Sequence, residues 1–274
     1  MKKLLLLLLF IPLVSFGQTL PKKISETEFS IGKSIKIESK ILDEIRDLNI
    51  YLPLNYSADS LKTYPVVFLL DGSKDEDFIH ISGIVQFGSF SWINMLPESI
   101  VVGIGNVDRK RDFTSPSQNK LDQKEFPNSG KSDKFIRFLQ NEVQKYVESN
   151  YRTNNIKTII GQSLGGLLAT EILLKKPELF DNYIIVSPSM WWNDEKLLQT
   201  KPKPYDSNKS IYIAVGKEGE TMERTTKELY NKLNKKENTT LFFKFMKNKT
   251  HGDALHNAVY NAFELIFKDK QEMK

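Results

Sequence analysis

The chain has 274 residues, 40% of them hydrophobic and 27% charged, with three histidines and no cysteine. This composition excludes disulfides, thiolate catalysis and cysteine-based zinc sites, and it suits a globular protein held together by apolar burial. The formal charge of +5 comes from lysines scattered among acids, two of them Lys2 and Lys3, so no basic stripe marks a nucleic-acid partner.

The first element is a targeting segment. Lys2-Lys3, the apolar run 4–14 and the small residues of Ser15-Phe16-Gly17 predict a signal peptide over 1–17, cleaved before Gln18. The run falls short of the ~20 residues a membrane span needs, and no later segment reaches that length. The expected product is exported, to the periplasm or beyond, with no membrane attachment past the signal peptide. Residues 18–274 read as one domain.

Next come two runs, 35–42 and 46–52, that read as an antiparallel pair at a sheet edge. Residues 66–70 are continuously apolar, the pattern of a strand buried on both faces, and 100–104, 158–160, 183–186, 211–215 and 241–246 are similar. Helical periodicity occupies 132–151, 164–176, 221–236 and 253–267. Strands alternating with helices imply an α/β fold, a mostly parallel central sheet with helices on both faces. In such sheets ligands bind at the carboxyl ends of the strands, which directs attention to the loops there.

One of those loops carries Gly161-Gln162-Ser163-Leu164-Gly165, a G-x-S-x-G motif between a buried strand and an apolar helix. The glycines permit a strained turn that lifts the Ser163 hydroxyl out of the sheet as a nucleophile. An oxyanion hole needs two amide donors. Leu164 supplies one, and the loop after residues 66–70 supplies the other from Gly72 or Ser73, with Asp71 as a turn former. In this fold the base follows the nucleophile in the chain. That sets aside His80 and leaves His251, at a strand-end loop, ahead of His256 within a helix. The orienting carboxylate belongs after 211–215, where Glu218 lies nearer the strand end and Glu220 suits the first turn of the next helix. Asp253 is expected to cap the last helix.

These pieces, with Ser39-Lys40-Ile41-Leu42 leading to Ile50-Tyr51-Leu52-Pro53, Tyr64-Pro65-Val66 through Leu70-Asp71-Gly72, Arg111-Asp112-Phe113-Thr114, Ser187-Pro188-Ser189-Met190-Trp191-Trp192 and Thr250-His251-Gly252, run across nearly all of the mature chain, 18–274. Together they resemble the putative-esterase (esterase D) family of α/β-hydrolases, in particular its secreted, enterochelin-esterase-like bacterial branch. The resemblance implies an α/β-hydrolase fold and carboxylic-ester hydrolysis through an acyl-enzyme, with Ser163 and His251 at the matched positions. The expected partner is a small or carbohydrate- or siderophore-type ester, with no cofactor and no metal. An acyltransferase with the same triad and a non-catalytic binding protein are the competing readings. Trp191 and Trp192 follow a strand and are candidates for stacking on substrate, though one of them is expected simply to pack. Arg109 could attract an anionic substrate or pair with Asp108 or Asp112. Residues 114–131 read as a mobile loop at the mouth.

Overall fold

The computed structural model describes residues 20–268 apart from 55, 57–59 and 235–236, so the expected signal peptide lies outside the described residues. The chain divides into two units, Met1–Ser30 and Ile31–Lys274. Residues 20–30 of the first are exposed and carry no helix or strand. All the described strands and helices belong to the second.

The strands are β1 (Lys33–Ser39), β2 (Glu44–Tyr51), β3 (Tyr64–Leu69), β4 (Ile100–Ile104), β5 (Thr153–Gln162), β6 (Asn182–Val186), β7 (Lys209–Gly216) and β8 (Thr239–Met246). They form one sheet in the order β1-β2-β4-β3-β5-β6-β7-β8. β1 and β2 make the expected antiparallel edge pair, β2 is antiparallel to β4, and β3 to β8 run parallel. Unbroken apolar runs arise because successive side chains point to opposite faces and both faces are covered. Phe68, Ile159, Tyr183, Ile185, Ile211 and Ile213 enter one core, while Leu69, Ile160, Ile184, Val186, Tyr212 and Ala214 enter the other.

The first core is closed by α4 (Ser132–Phe138), α5 (Gln144–Asn150), α6 (Leu164–Lys175) and α8 (Glu220–Leu233). Two helices close the second, α1 (Phe78–Gly88) and α9 (Ala254–Phe263). Short helices α2 (Arg109–Phe113), α3 (Lys120–Glu125) and α7 (Trp192–Gln199) lie in loops at the carboxyl end of the sheet. The single helix expected over 132–151 is interrupted by a π-helical segment, Leu139–Val143, between α4 and α5. The wider turn is compatible with burial of Phe138, Leu139, Val143 and Val147 along the run.

Candidate active site

Each of the six parallel strands ends in a loop that contributes to one place. Ser163 follows β5 with φ 59° and ψ −121°, a left-handed conformation for a non-glycine residue. Gly161 makes that turn possible, since a Cβ there would lie 2.3 Å from the Gly165 carbonyl oxygen. The Ser163 N–H donates to the Val186 carbonyl at 3.1 Å, and its own carbonyl accepts the first helical hydrogen bond, from Leu167. The hydroxyl therefore stands at the N-terminus of α6, where the Leu164 amide has no intrahelical acceptor and the helix dipole is positive.

Glu218 follows β7 and His251 follows β8. The His251 Nδ1–H donates to Glu218 Oε2 at 2.6 Å. The other carboxylate oxygen accepts from Ser187 Oγ at 2.5 Å and from the Gly216 amide at 2.9 Å. Burial alone would push this carboxyl up; the hydrogen bonds from His251, Ser187 and Gly216 outweigh it and hold Glu218 below the usual glutamate range. With Nδ1 engaged, Nε2 is the imidazole nitrogen left for proton exchange. His251, Ser163 and Glu218 line the same open cavity of about 310 Å³, with Ser189, Trp191 and Met222. Ser189 Oγ lies 3.3 Å from Ser163 Oγ. Glu220, the other carboxylate considered, opens α8.

The base loop is tied on two sides. Gln162 Nε2 donates to the His251 carbonyl at 2.5 Å. Asp253 sits at the cap position of α9 but makes no cap hydrogen bond there. Its carboxylate instead accepts from the Thr250 amide at 2.6 Å and the Thr250 hydroxyl at 2.9 Å, closing the turn that carries His251. His256 lies away from the cavity: its Nε2 is 3.2 Å from Asp77 Oδ1 and its ring lies against that of His80, centroids 4.3 Å apart and tilted by 35°.

Four sequence expectations need correction. The Gly72 N–H is consumed by the Ile104 carbonyl at 3.0 Å, because β3 and β4 are neighbours whose loops run side by side. Gly72 therefore leaves the oxyanion donors, and Ser73 remains, its N–H donating only a long 3.4 Å hydrogen bond to the Glu76 Oε2 side-chain oxygen. Arg109 pairs with neither Asp108 nor Asp112. Its Nε and Nη2 hold the Asp71 carboxylate at 2.6 and 2.8 Å, and Nη2 also donates to the Gln162 carbonyl at 3.2 Å. That geometry spends the guanidinium on binding the β3, β4 and β5 loops together rather than presenting it to a substrate. Trp192 leaves the substrate-stacking candidates: it is 1% exposed and its indole N–H donates to the Ser115 carbonyl at 2.8 Å, so it is the tryptophan that packs, as expected for one of the pair, while Trp191 lines the cavity.

The fourth correction concerns residues 114–131. This stretch contains α3 and is latched to the tryptophan-bearing segment. Asn193 Oδ1 accepts from the Gln118 amide at 2.9 Å, Asn119 Nδ2 donates to Asp194 at 2.6 Å, and the Asn193 amide donates to Asp122 at 2.9 Å. These contacts fasten Asn193 and Asp194, and Glu195 pairs with Arg224, along a stretch in which all three residues adopt successive left-handed conformations that L-residues rarely take in sequence. Sequence reasoning assigned nothing to Ser187, Ser189, Gln162 or Met222. The two serines lie at the end of β6, which was the available signal.

The family described as "Putative esterase" matches residues 39–265. Ferri-bacillibactin esterase BesA of Bacillus subtilis is 32% identical over 57% of this chain and 58% of its own length. A siderophore triacetylfusarinine C esterase of Aspergillus fumigatus is 32% identical over 32% of this chain and 33% of its own. The matches thus span less than two thirds of either relative. An IroE-like serine hydrolase from Shewanella oneidensis superposes with a TM-score of 0.78 at 30% identity, covering 87% of this chain and 80% of that one.

Proposed function

This chain belongs to the putative esterase family, and on that premise we propose that it is a serine carboxylic-ester hydrolase acting through an acyl-enzyme. The observation that carries the reading is the convergence on one cavity of Ser163, on its left-handed turn, with the hydrogen-bonded His251–Glu218 pair. Ser163 Oγ attacks the ester carbonyl while His251 Nε2 takes its proton, and Glu218 holds the imidazole in the tautomer this requires. The oxyanion is met by the Leu164 amide at the N-terminus of α6 and by the Ser73 amide. His251 then returns the proton to the leaving alcohol, and water, deprotonated by the same imidazole, releases the acid.

The substrate class we assign is a small siderophore-type ester, on the strength of the relatives' activities, with Trp191 as the aromatic wall of the cavity. Exported through its N-terminal signal, the mature chain would begin at Gln18 and meet that ester outside the cytoplasm. The test is labelling with a fluorophosphonate probe, followed by a panel of catecholate, acetyl and feruloyl esters. Wild type should label, while Ser163→Ala and His251→Ala should not. Equal labelling of wild type and Ser163→Ala would overturn the nucleophile, and transfer to an added sugar alcohol in preference to water would reassign the enzyme as an acyltransferase.

A further inference from the structure

A second cavity, of about 940 Å³, lies at the other end of the sheet. Pro65, Asn154, Asn182 and Asn208 line it at or beside the N-terminal ends of β3, β5, β6 and β7, whereas Ser163, Glu218 and His251 follow carboxyl ends. Its size falls within the range of ligand sites, and nothing in the proposed hydrolytic chemistry uses it.

The lining has two characters. One wall carries Phe90 and Trp92, stacked with ring centroids 4.6 Å apart at 19°. Trp92 is 76% exposed, so the indole is supported on one side and open on the other. Around this platform are side-chain amides, of which Asn94 and Asn208 make no side-chain hydrogen bond among the described residues. The charges in the cavity are already matched. Lys62 pairs with Glu98, and the Asp181 carboxylate accepts from the Lys157 amide at 2.9 Å with Lys209 Nζ 3.9 Å away.

A large apolar ring left exposed beside unengaged amides, in a cavity whose charges are internally paired, suits a ligand that is uncharged, flat on one face and rich in hydroxyls. A pyranose has this form: a C–H face to lie on Trp92 and a rim of hydroxyls that donate to and accept from amides. A charged ligand would have to displace an ion pair, and a wholly apolar one would leave the amides facing it unsatisfied. We propose that this cavity is a binding site for a neutral glycan, separate from the hydrolytic centre and independent of the ester-hydrolase reading.

The test is saturation-transfer NMR and calorimetry of the full chain with xylohexaose, cellohexaose and maltohexaose, on wild type, Trp92→Ala and Trp92→Phe. At least one hexaose should bind wild type, Trp92→Ala should weaken it by about tenfold, and Trp92→Phe should retain most of the affinity. Hydrolysis of a small soluble ester should be the same in all three proteins, and unchanged thermal melting would exclude a folding defect in the variants. Absence of binding to all three glycans, or binding that Trp92→Ala leaves intact, overturns the proposal. So does binding of an apolar dye in this cavity without any glycan.

Discussion

Glu218 is a carboxylate that burial should neutralise and that three hydrogen-bond donors keep charged. Its depressed pKa is also a statement about stability. The unfolded chain titrates this group near the ordinary glutamate value of about 4.3, so the contribution is fully present above that pH and is lost as pH falls through the lower folded value. Glu218→Gln should therefore melt below wild type at neutral pH, with the gap closing as pH drops under about 4 in a series of thermal scans. The same change leaves one carbonyl oxygen for three donors and places an NH2 against His251 Nδ1 when that oxygen stays with Ser187 and Gly216, which reverses the His251 tautomer. It should lower kcat by about 10²–10⁴-fold with a much smaller change in KM, read from steady-state hydrolysis. Glu220→Gln, on the first turn of α8, should leave both quantities near wild type.

The strand-end loops are held by contacts that leave little room for change. β3 and β4 are paired up to Leu69↔Gly103, and beyond that point Gly72 and Gly103 face each other so closely that neither accepts a side chain. A Cβ on Gly72 would sit 2.4 Å from Gly103 Cα and 2.6 Å from the Ile104 nitrogen, both immovable backbone. Gly72→Ala should cost about 1–3 kcal/mol in denaturant unfolding and should also slow fluorophosphonate labelling, because Ser73 moves with the displaced turn. Arg109 works at the same scale, bridging Asp71 and the Gln162 carbonyl. Arg109→Met keeps the stem but removes the donors, and it should reduce kcat more than it raises KM in hydrolysis of an uncharged ester. A pure substrate-binding role would raise KM alone.

Across the whole molecule, the antiparallel edge and the parallel part of the sheet are joined by a buried charge cluster. Arg46 of β2 has a side chain with no exposed surface; it pairs with Asp112 of α2 and, at 2.7 Å, with Glu44, and its guanidinium lies 5.3 Å from the Phe135 ring centre. Arg111 closes the cluster through the same two acids. Removing one partner leaves a buried guanidinium short of its counter-charge. Asp112→Ala should therefore destabilise the fold by about 3–5 kcal/mol in a urea titration, far more than loss of the exposed Lys36–Asp47 pair.

The amino-acid sequence by itself determined the kind of fold and singled out Ser163 and His251, while the choice of Glu218 over Glu220 beside His251 came from the 2.6 Å contact in the structure. Runs such as Val66-Val67-Phe68-Leu69-Leu70 encode a doubly covered strand through local periodicity. Gly161 to Gly165 encodes the nucleophile turn through local sterics, and the strand-end positions of Glu218 and His251 follow from chain order. These are properties of a few adjacent residues, so they survive being read in one dimension. Only the tertiary structure decided that the Gly72 amide is already spent, that Arg109 belongs to Asp71, that Trp192 is buried while Trp191 is not, and that residues 114–131 are latched to Asn193 and Asp194. Each of those outcomes is a competition for hydrogen-bond partners or space among groups dozens of residues apart in the chain. Such a competition has no local signature, because the partner is chosen by which strands lie side by side in the sheet.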